Sequence, residues 1–301
     1  MIELKSLTKN FDGTPAVDRI SVDIKENEVF GLIGTNGAGK STTLRMMAGV
    51  IRPDAGAVVV DSMPIFDNLI TKQRVFFIAD EPYYFQNASS RDMMDYYYSV
   101  YPTFDTDRFL ELMEACDIDA SKKISSFSKG MKKQVSMLLG ICSGAKYLLC
   151  DETFDGLDPV MKEAIKGLLR SEMKKRELTP IIASHNLREL EDICDHVGLL
   201  HKGGVLLSRD LDDMKLNIQK VQFVLGNNSF EDIPFGNIEI IKDEQRGSLH
   251  VLTLRCLKEQ AEKIFENIDT VFFEVLPLSL EEIFISETEI AGYDMQKIFL
   301  D

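Results

Sequence analysis

Gly34-Thr35-Asn36-Gly37-Ala38-Gly39-Lys40-Ser41-Thr42 fits the pattern G-x-x-x-x-G-K-[ST]. An apolar run, Val29-Phe30-Gly31-Leu32-Ile33, leads into it. Helical spacing follows over residues 40–50, with Leu44, Met47 and Ala48 on one face. Strand, glycine-rich loop and helix form the context in which this pattern cradles phosphate. The glycines let backbone N–H groups wrap an anion without Cβ clashes. The helix N-terminus adds partial positive charge. Lys40 can then neutralise β- and γ-phosphate oxygens, and Ser41 can offer its hydroxyl to Mg²⁺. The candidate nucleotide-binding residues here are Gly34, Asn36, Gly37, Ala38, Gly39, Lys40, Ser41 and Thr42.

A second stretch, Tyr147-Leu148-Leu149-Cys150-Asp151-Glu152, is an apolar strand that ends in two carboxylates. Ligands of open α/β sheets sit at that end of the strands. Asp151 is placed to hold Mg²⁺ and Glu152 to orient or deprotonate an attacking water. Alone, the pair reads as a strand end meeting solvent; beside the phosphate loop it reads as chemistry.

Around these two stretches the pattern is alternation first, over residues 2–9 and 15–24, then short apolar strands at 75–79, 146–150, 180–184, 196–200 and 204–207. Helical spacing fills 159–176 and 186–194, and also a long block from about Ser89 to Ser143. We expect an α/β core, its helix-linked strands parallel, interrupted by a helical insertion at about 83–143. Beyond Leu216 strand patterns at 220–225, 238–242, 248–256 and 270–276 enclose a helix near 258–267. A last helix opens at the cap signal Ser279-Leu280-Glu281-Glu282. We therefore expect one domain over 1–216 and a small α+β domain over 217–301.

The 301 residues are 45% hydrophobic, enough for both cores, and carry a formal net charge of −15. Such acidity opposes binding to nucleic acid or to an anionic lipid face. The basic clusters Lys132-Lys133 and Lys174-Lys175-Arg176 read as solvated helix faces. The five cysteines form no CxxC pair and lie in apolar surroundings, as reduced thiols do. Met1 to Lys5 enters a strand pattern at once, and no apolar run approaches bilayer length. The expectation is a cytoplasmic chain with no signal peptide, which needs a partner for any membrane role.

Further motifs narrow the family. Phe127-Ser128-Lys129-Gly130-Met131 leads into a helical pattern, with Ser128 as a natural N-cap. Thr153-Phe154-Asp155-Gly156-Leu157-Asp158 follows Glu152 directly, and Ala183-Ser184-His185 closes the next strand. In this order the motifs resemble those of the ABC (ATP-binding cassette) ATPases. The resemblance covers roughly residues 1–215 and is closest to single-cassette subunits of bacterial exporters; Leu276 to Phe284 resembles the tail of such subunits.

The resemblance implies a P-loop NTPase fold of the ABC type: a RecA-like α/β subdomain, an antiparallel β part and a helical insertion. It implies ATP and Mg²⁺ as ligands. It makes Ser128 and Gly130 a signature loop, Asp158 part of the D-loop, His185 the switch histidine and Phe11 the aromatic that stacks on adenine. Phe76 to Pro82 takes the place of the Q-loop. The chain departs from the pattern in three places, one of them Met131-Lys132, which stands where Gly-Gln or Gln-Gln is common. Lys129 replaces the first signature glycine. The Q-loop glutamine is absent; Asp80 aligns best, with Glu81 as the alternative, and a carboxylate there could also reach Mg²⁺.

The mechanism so implied is hydrolysis with Glu152, His185 and Lys40 as catalytic residues and Ser41, Asp151 and Asp80 toward the metal. A second ABC ATPase subunit, an identical copy satisfying the geometry, would cap each nucleotide. A transmembrane permease subunit would carry the chain to the inner face of the cell membrane. Tyr83, Tyr84, Phe85, Tyr96, Tyr97, Tyr98 and Tyr101 cluster on the insertion as a docking surface, about half of them expected in the core. A soluble ABC-type ATPase acting on ribosomes or nucleic acid is the alternative, opposed by the acidity and the single cassette.

Overall fold

The computed structural model describes residues 1–290; positions 291–301 of the expected C-terminal domain lie outside the described residues. The alternating stretches at the start pair antiparallel as β1 (Ile2–Phe11) and β2 (Thr14–Ile24). Asp12 and Gly13 join them with φ of 49° and 82°, the left-handed pair that a two-residue hairpin turn demands. β3 (Phe30–Gly34), buried along its whole length, runs into α1 (Lys40–Met47). β4 (Ala55–Val60) pairs antiparallel with β1, and β5 (Met63–Pro64) closes that sheet in the order β2-β1-β4-β5. One helical turn, α2 (Leu69–Lys72), precedes β6 (Val75–Ile78).

The helical block then resolves into α3 (Ser90–Val100), α4 (Thr106–Ala115) and α5 (Lys129–Cys142). Each begins at a side-chain cap: Ser89 in a capping box with Asp92, then Asp105, then Ser128. The chain returns to the core as β7 (Tyr147–Asp151), α6 (Pro159–Lys175), β8 (Thr179–Ser184), α7 (Leu187–Glu191), β9 (His196–His201) and β10 (Gly204–Asp210).

The second sheet has the order β10-β9-β3-β8-β7-β6. The pairs β3–β8, β3–β9, β7–β8 and β6–β7 are parallel. Its central strands β3, β7 and β8 have no exposed residue, as parallel strands covered on both faces require. On one face the core joins Phe30, Leu32, Leu149, Ile181 and Ala183 to Leu44, Met46 and Met47 of α1 and to Ile2, Leu4, Val22 and Val58 of the antiparallel sheet.

α5 lies close against the other face at Gly140. A Cβ there would sit 2.7 Å from Leu148 Cδ1 and 3.0 Å from Ile78 Cδ1. The absent side chain sets how near the helix comes to β6 and β7.

The contacts divide the chain into two compact units between Ser208 and Arg209. The second holds α8 (Leu211–Asn217), β11 (Gln219–Leu225), β12 (Glu239–Arg246), β13 (Leu249–Arg255), α9 (Lys258–Phe265), β14 (Thr270–Leu276) and α10 (Leu280–Ile290). Its antiparallel sheet, ordered β12-β13-β11-β14, packs Val221, Phe223, Leu252 and Leu254 against Ala261, Ile264 and Phe265 of α9. The Ser279 hydroxyl and the Glu282 carboxylate cap α10 reciprocally. Among the described residues no helix is long and apolar enough to cross a membrane.

Sequence patterning did not resolve β4, β5, α2 and α8. Ala55-Gly56-Ala57 carries no alternation, β5 is two residues, α2 is one turn and α8 is two. Pairing with β1 makes β4 a strand where its own residues do not.

Gly140→Val tests the close approach of α5. A better helix residue than glycine gains under about 1 kcal/mol. Overpacking against Leu148 and Ile78 costs about 1–3 kcal/mol. Urea unfolding should show a net loss of stability with an unchanged m-value.

Candidate functional site

The phosphate loop is held from outside by backbone. A Cβ on Gly34 would lie 2.6 Å from the Leu200 carbonyl oxygen of β9, and one on Gly39 2.4 Å from that of Ala16 in β2. Gly39 has φ of 96° and opens α1. Only glycine meets both conditions there, so the loop turns from β3 into α1 in one way. Thr35, Asn36 and Gly37 are exposed, whereas Ala38 is buried and donates its N–H to the Thr35 carbonyl. The Ala38 amide is thus engaged within the loop itself.

Lys40 is the first residue of α1, and its ammonium is folded under the loop. Nζ donates to the carbonyl oxygens of Gly34 at 2.8 Å and Thr35 at 3.4 Å, and lies 3.4 Å from Glu152 Oε1. One residue on, the Ser41 hydroxyl donates to Asp151 Oδ1 at 2.9 Å, while Thr42 is half-buried. Asp151 is 1% exposed. Burial pushes its carboxyl above the usual range; the Ser41 hydrogen bond and Arg45 oppose that, and the charges of Glu152 and Asp80 add to it. Ser41 Oγ and Asp151 Oδ1 together are a hard-oxygen pair of the kind that suits Mg²⁺.

Glu152 leaves the strand with φ of 49°, a left-handed conformation that costs a non-glycine residue about 1–3 kcal/mol. Its N–H still donates to the Ala183 carbonyl at 3.0 Å, as if β7 continued beside β8. The kink turns its carboxylate to His185, whose Nδ1 is 2.9 Å from Oε2, and to Lys40. Glu152, Asp155 and His185 bring one ligand atom each within 4.8 Å of one another. His185 itself is exposed, at the end of β8. The structure therefore brings together Lys40, Ser41, Asp151, Glu152 and His185, five residues from three separate stretches of sequence.

The other candidates lie around this group. Phe11, 45% exposed, ends β1 opposite Thr14, two residues before the Ala16 carbonyl that meets Gly39; Lys9 Nζ lies 5.7 Å from its ring centroid. Ser128 and Asp158 both act as helix caps, accepting from the N–H groups of Met131 and Met161. Gly130 stands beside the Gly156 carbonyl, 3.0 Å from where a Cβ would be. Among the described residues no hydrogen bond or ion pair joins Ser128–Gly130 to Gly34–Thr42. Asp80 accepts from Lys133 Nζ at 2.9 Å, so its carboxylate is engaged by a cation of the chain itself.

Lys133 is the residue that sequence reasoning missed. It was grouped with Lys132 as part of a solvated face, yet it is 1% exposed and also donates to the Glu152 carbonyl oxygen at 2.6 Å. The signal was in the spacing. Lys133 precedes Met137 by four and Gly140 by seven, on the stripe of α5 that the sheet covers. Arg176, read the same way, donates to the carbonyls of Ile141 and Ala145.

Residues 17–155 match the family described as ABC transporter. The chain is 29% identical over 287 residues to the ABC transporter ATP-binding protein YtrB of Bacillus subtilis (strain 168), across 95% of this chain and 98% of that one. It is 28% identical over 294 residues to the bacitracin transport ATP-binding protein BcrA of Bacillus licheniformis, across 95% and 96%. A solved ATP-binding subunit of an ABC transporter superposes with a TM-score of 0.67 at 24% identity, covering 71% of this chain and 92% of that one.

The chain carries an ATP-binding cassette of the ABC transporter family. Such a cassette is an ATPase, and the strand-end cluster just described is where its sequence motifs converge. The solved relative matches over a cassette-sized share of the chain, and its likeness speaks to the fold. The two Bacillus proteins match over nearly the whole length, C-terminal unit included.

Ser41→Ala should leave the buried Asp151 carboxylate without its hydroxyl donor and cost about 1–3 kcal/mol of stability at neutral pH. Asp151 has its pKa raised in the folded state, so ionisation is the unfavourable form there and protonation relieves it. The deficit should shrink in mildly acidic buffer, read by urea unfolding at two pH values.

Proposed function

We propose that this chain is the ATP-hydrolysing subunit of an ABC exporter, working as a two-fold dimer beneath a transmembrane permease subunit at the inner face of the cell membrane. The observation that carries the proposal is a split. The charged cluster of Lys40, Ser41, Asp151, Glu152 and His185 is assembled within one chain, while among the described residues Ser128 and Gly130 make no bond to it. A two-fold partner of identical sequence would supply the missing half to each site, giving two equivalent sites at the seam.

In this scheme the loop Gly34–Thr42 wraps the phosphates and Phe11 faces the adenine. Lys40 exchanges its carbonyl partners for phosphate oxygens, which also parts it from Glu152. Ser41 and Asp151 would hold Mg²⁺, which supplies charge neutralisation between the β- and γ-phosphates. Glu152, freed of the Lys40 ammonium, orients the attacking water and accepts its proton; His185, bonded to the same carboxylate, fixes its direction. Ser128 and Gly130 of the partner copy donate to the γ-phosphate, and Asp158 lies at the seam. Closing the seam excludes water, which strengthens each of these fixed donors.

The aromatic residues of the insertion support a permease dock. Tyr84 donates its hydroxyl to the Lys132 carbonyl, and Tyr101 to that of Val75; both are half-buried. Tyr83, Phe85 and Tyr96 remain exposed and stack edge-on, with ring centroids 6.1 and 4.9 Å apart. Exposed aromatic clusters of this kind suit the centre of a protein interface. The export direction rests on the likeness of Leu276 to Phe284 to the tails of exporter subunits.

Glu152→Gln should bind ATP with unchanged affinity and hydrolyse it at least about 100-fold more slowly, accumulating an ATP-bound dimer on gel filtration. Full turnover in that variant would remove Glu152 from the mechanism. Lys40→Ala loses a charge-assisted contact and should weaken ATP binding by about 10- to 100-fold, measured by calorimetry. The native protein should sediment with membranes and co-purify with a multi-span subunit; recovery on ribosomes instead would sink the transport assignment.

A further inference from the structure

We propose that Lys133 is a positioning residue for hydrolysis: its buried ammonium fixes the backbone of Glu152 and so aims the carboxylate. The inference deepens the proposed function and rests on Glu152 being the residue that orients water.

Lys133 Nζ makes two bonds, to residues from two separate segments. It reaches Asp80 Oδ1 at 2.9 Å and the Glu152 carbonyl oxygen at 2.6 Å. The carbonyl it grips belongs to the residue held at φ of 49°, and the Asp155 N–H donates to that same oxygen at 3.3 Å. Left-handed backbone in a glutamate persists only where its surroundings over-determine it. Here the Glu152 N–H is tied to Ala183, its carbonyl to Lys133 and Asp155, and its side chain to His185 and Lys40. Lys133 is the cation of that set which does not face the phosphate loop, so nucleotide binding need not displace it.

A buried ammonium needs a countercharge, and Asp80 provides it from the segment after β6. Asp80 lies in the stretch Phe76 to Pro82, which takes in the end of β6 and the residues after it. The pair of Asp80 and Lys133 ties the segment after β6 to the turn that carries Glu152. α5 also meets that turn at Gly130, beside the Gly156 carbonyl. Movement of α5 or of Asp80 would therefore reach the Glu152 carboxylate through its own main chain.

The test compares Lys133→Met with Lys133→Arg, and with Glu152→Gln as reference. ATP turnover is measured as kcat and KM, and binding by a fluorescent trinitrophenyl-ATP. Lys133→Met fills the same space without donor or charge, and kcat should fall at least tenfold while nucleotide affinity stays within twofold. Lys133→Arg restores a cation and donors, and kcat should recover by threefold or more over the methionine variant. The inference is overturned if Lys133→Met turns over within twofold of the parent while Glu152→Gln is inactive. A loss of kcat matched by an equal loss of affinity, unrelieved by arginine, also overturns it, because that marks a merely structural lysine. Turnover in Glu152→Gln would instead defeat the underlying assignment. If Lys133→Met does not fold, Asp80→Asn at its half-exposed position reads the same anchor. There kcat should fall about threefold with the Mg²⁺ half-saturation unchanged, and an unaltered kcat overturns the inference.

Discussion

Strands β3, β7 and β8 have no face turned to water, so they can carry polar groups only where they end. All three run in the same direction, and their carboxyl ends lie side by side. That constraint gathers Gly34 and its loop, Asp151 with Glu152, and Ser184 with His185 at a single edge. Were β7 reversed, Asp151 would end at the opposite edge from Ser41 and the hydrogen bond between them could not form. The chemistry of the cassette is thus a consequence of hydrophobic burial and strand direction before it is a consequence of any one catalytic residue.

The edge so built is electrostatically tense. The charges of Asp80 and Glu152 bear on the buried Asp151 carboxyl, and two ammonium groups stand among the three, Lys40 beside Glu152 and Lys133 beside Asp80. Each buried charge there has a partner of the chain's own: Lys40 has Glu152 and two carbonyls, Lys133 has Asp80 and a carbonyl, Asp151 has a hydroxyl. An incoming polyanion would take Lys40 away from Glu152. Release of the carboxylate in the same step that binds phosphate would link binding to the water-orienting role proposed for Glu152, ahead of closure by a partner copy.

The C-terminal unit is a different kind of structure, an antiparallel sheet with a phenylalanine-rich core around Phe223 and Phe265. The relatives that match over their whole length show that chains of this architecture recur with the cassette. Some of its charged residues pair within the unit, such as Lys220 with Glu282 and Arg255 with Glu239.

Local pattern and glycine chemistry determined the strand–loop–helix of residues 28–47, the caps at Ser128 and Ser279, and the alternation over residues 2–9 and 15–24. These depend on neighbours within a few residues, which one strand of text contains. The positions of Lys40, Asp151 and Glu152 could be named for the same reason, since each terminates or begins a local element; His185 could be named only through the family resemblance. Tertiary structure decided what those elements do to each other. It made a strand of Ala55–Val60 by pairing it with β1, and it engaged Asp80 through a lysine fifty-three residues away. It also buried Lys133, which composition placed in water. A charge pattern gives the sign of a side chain; which way it faces is fixed only when the helix that carries it meets the sheet.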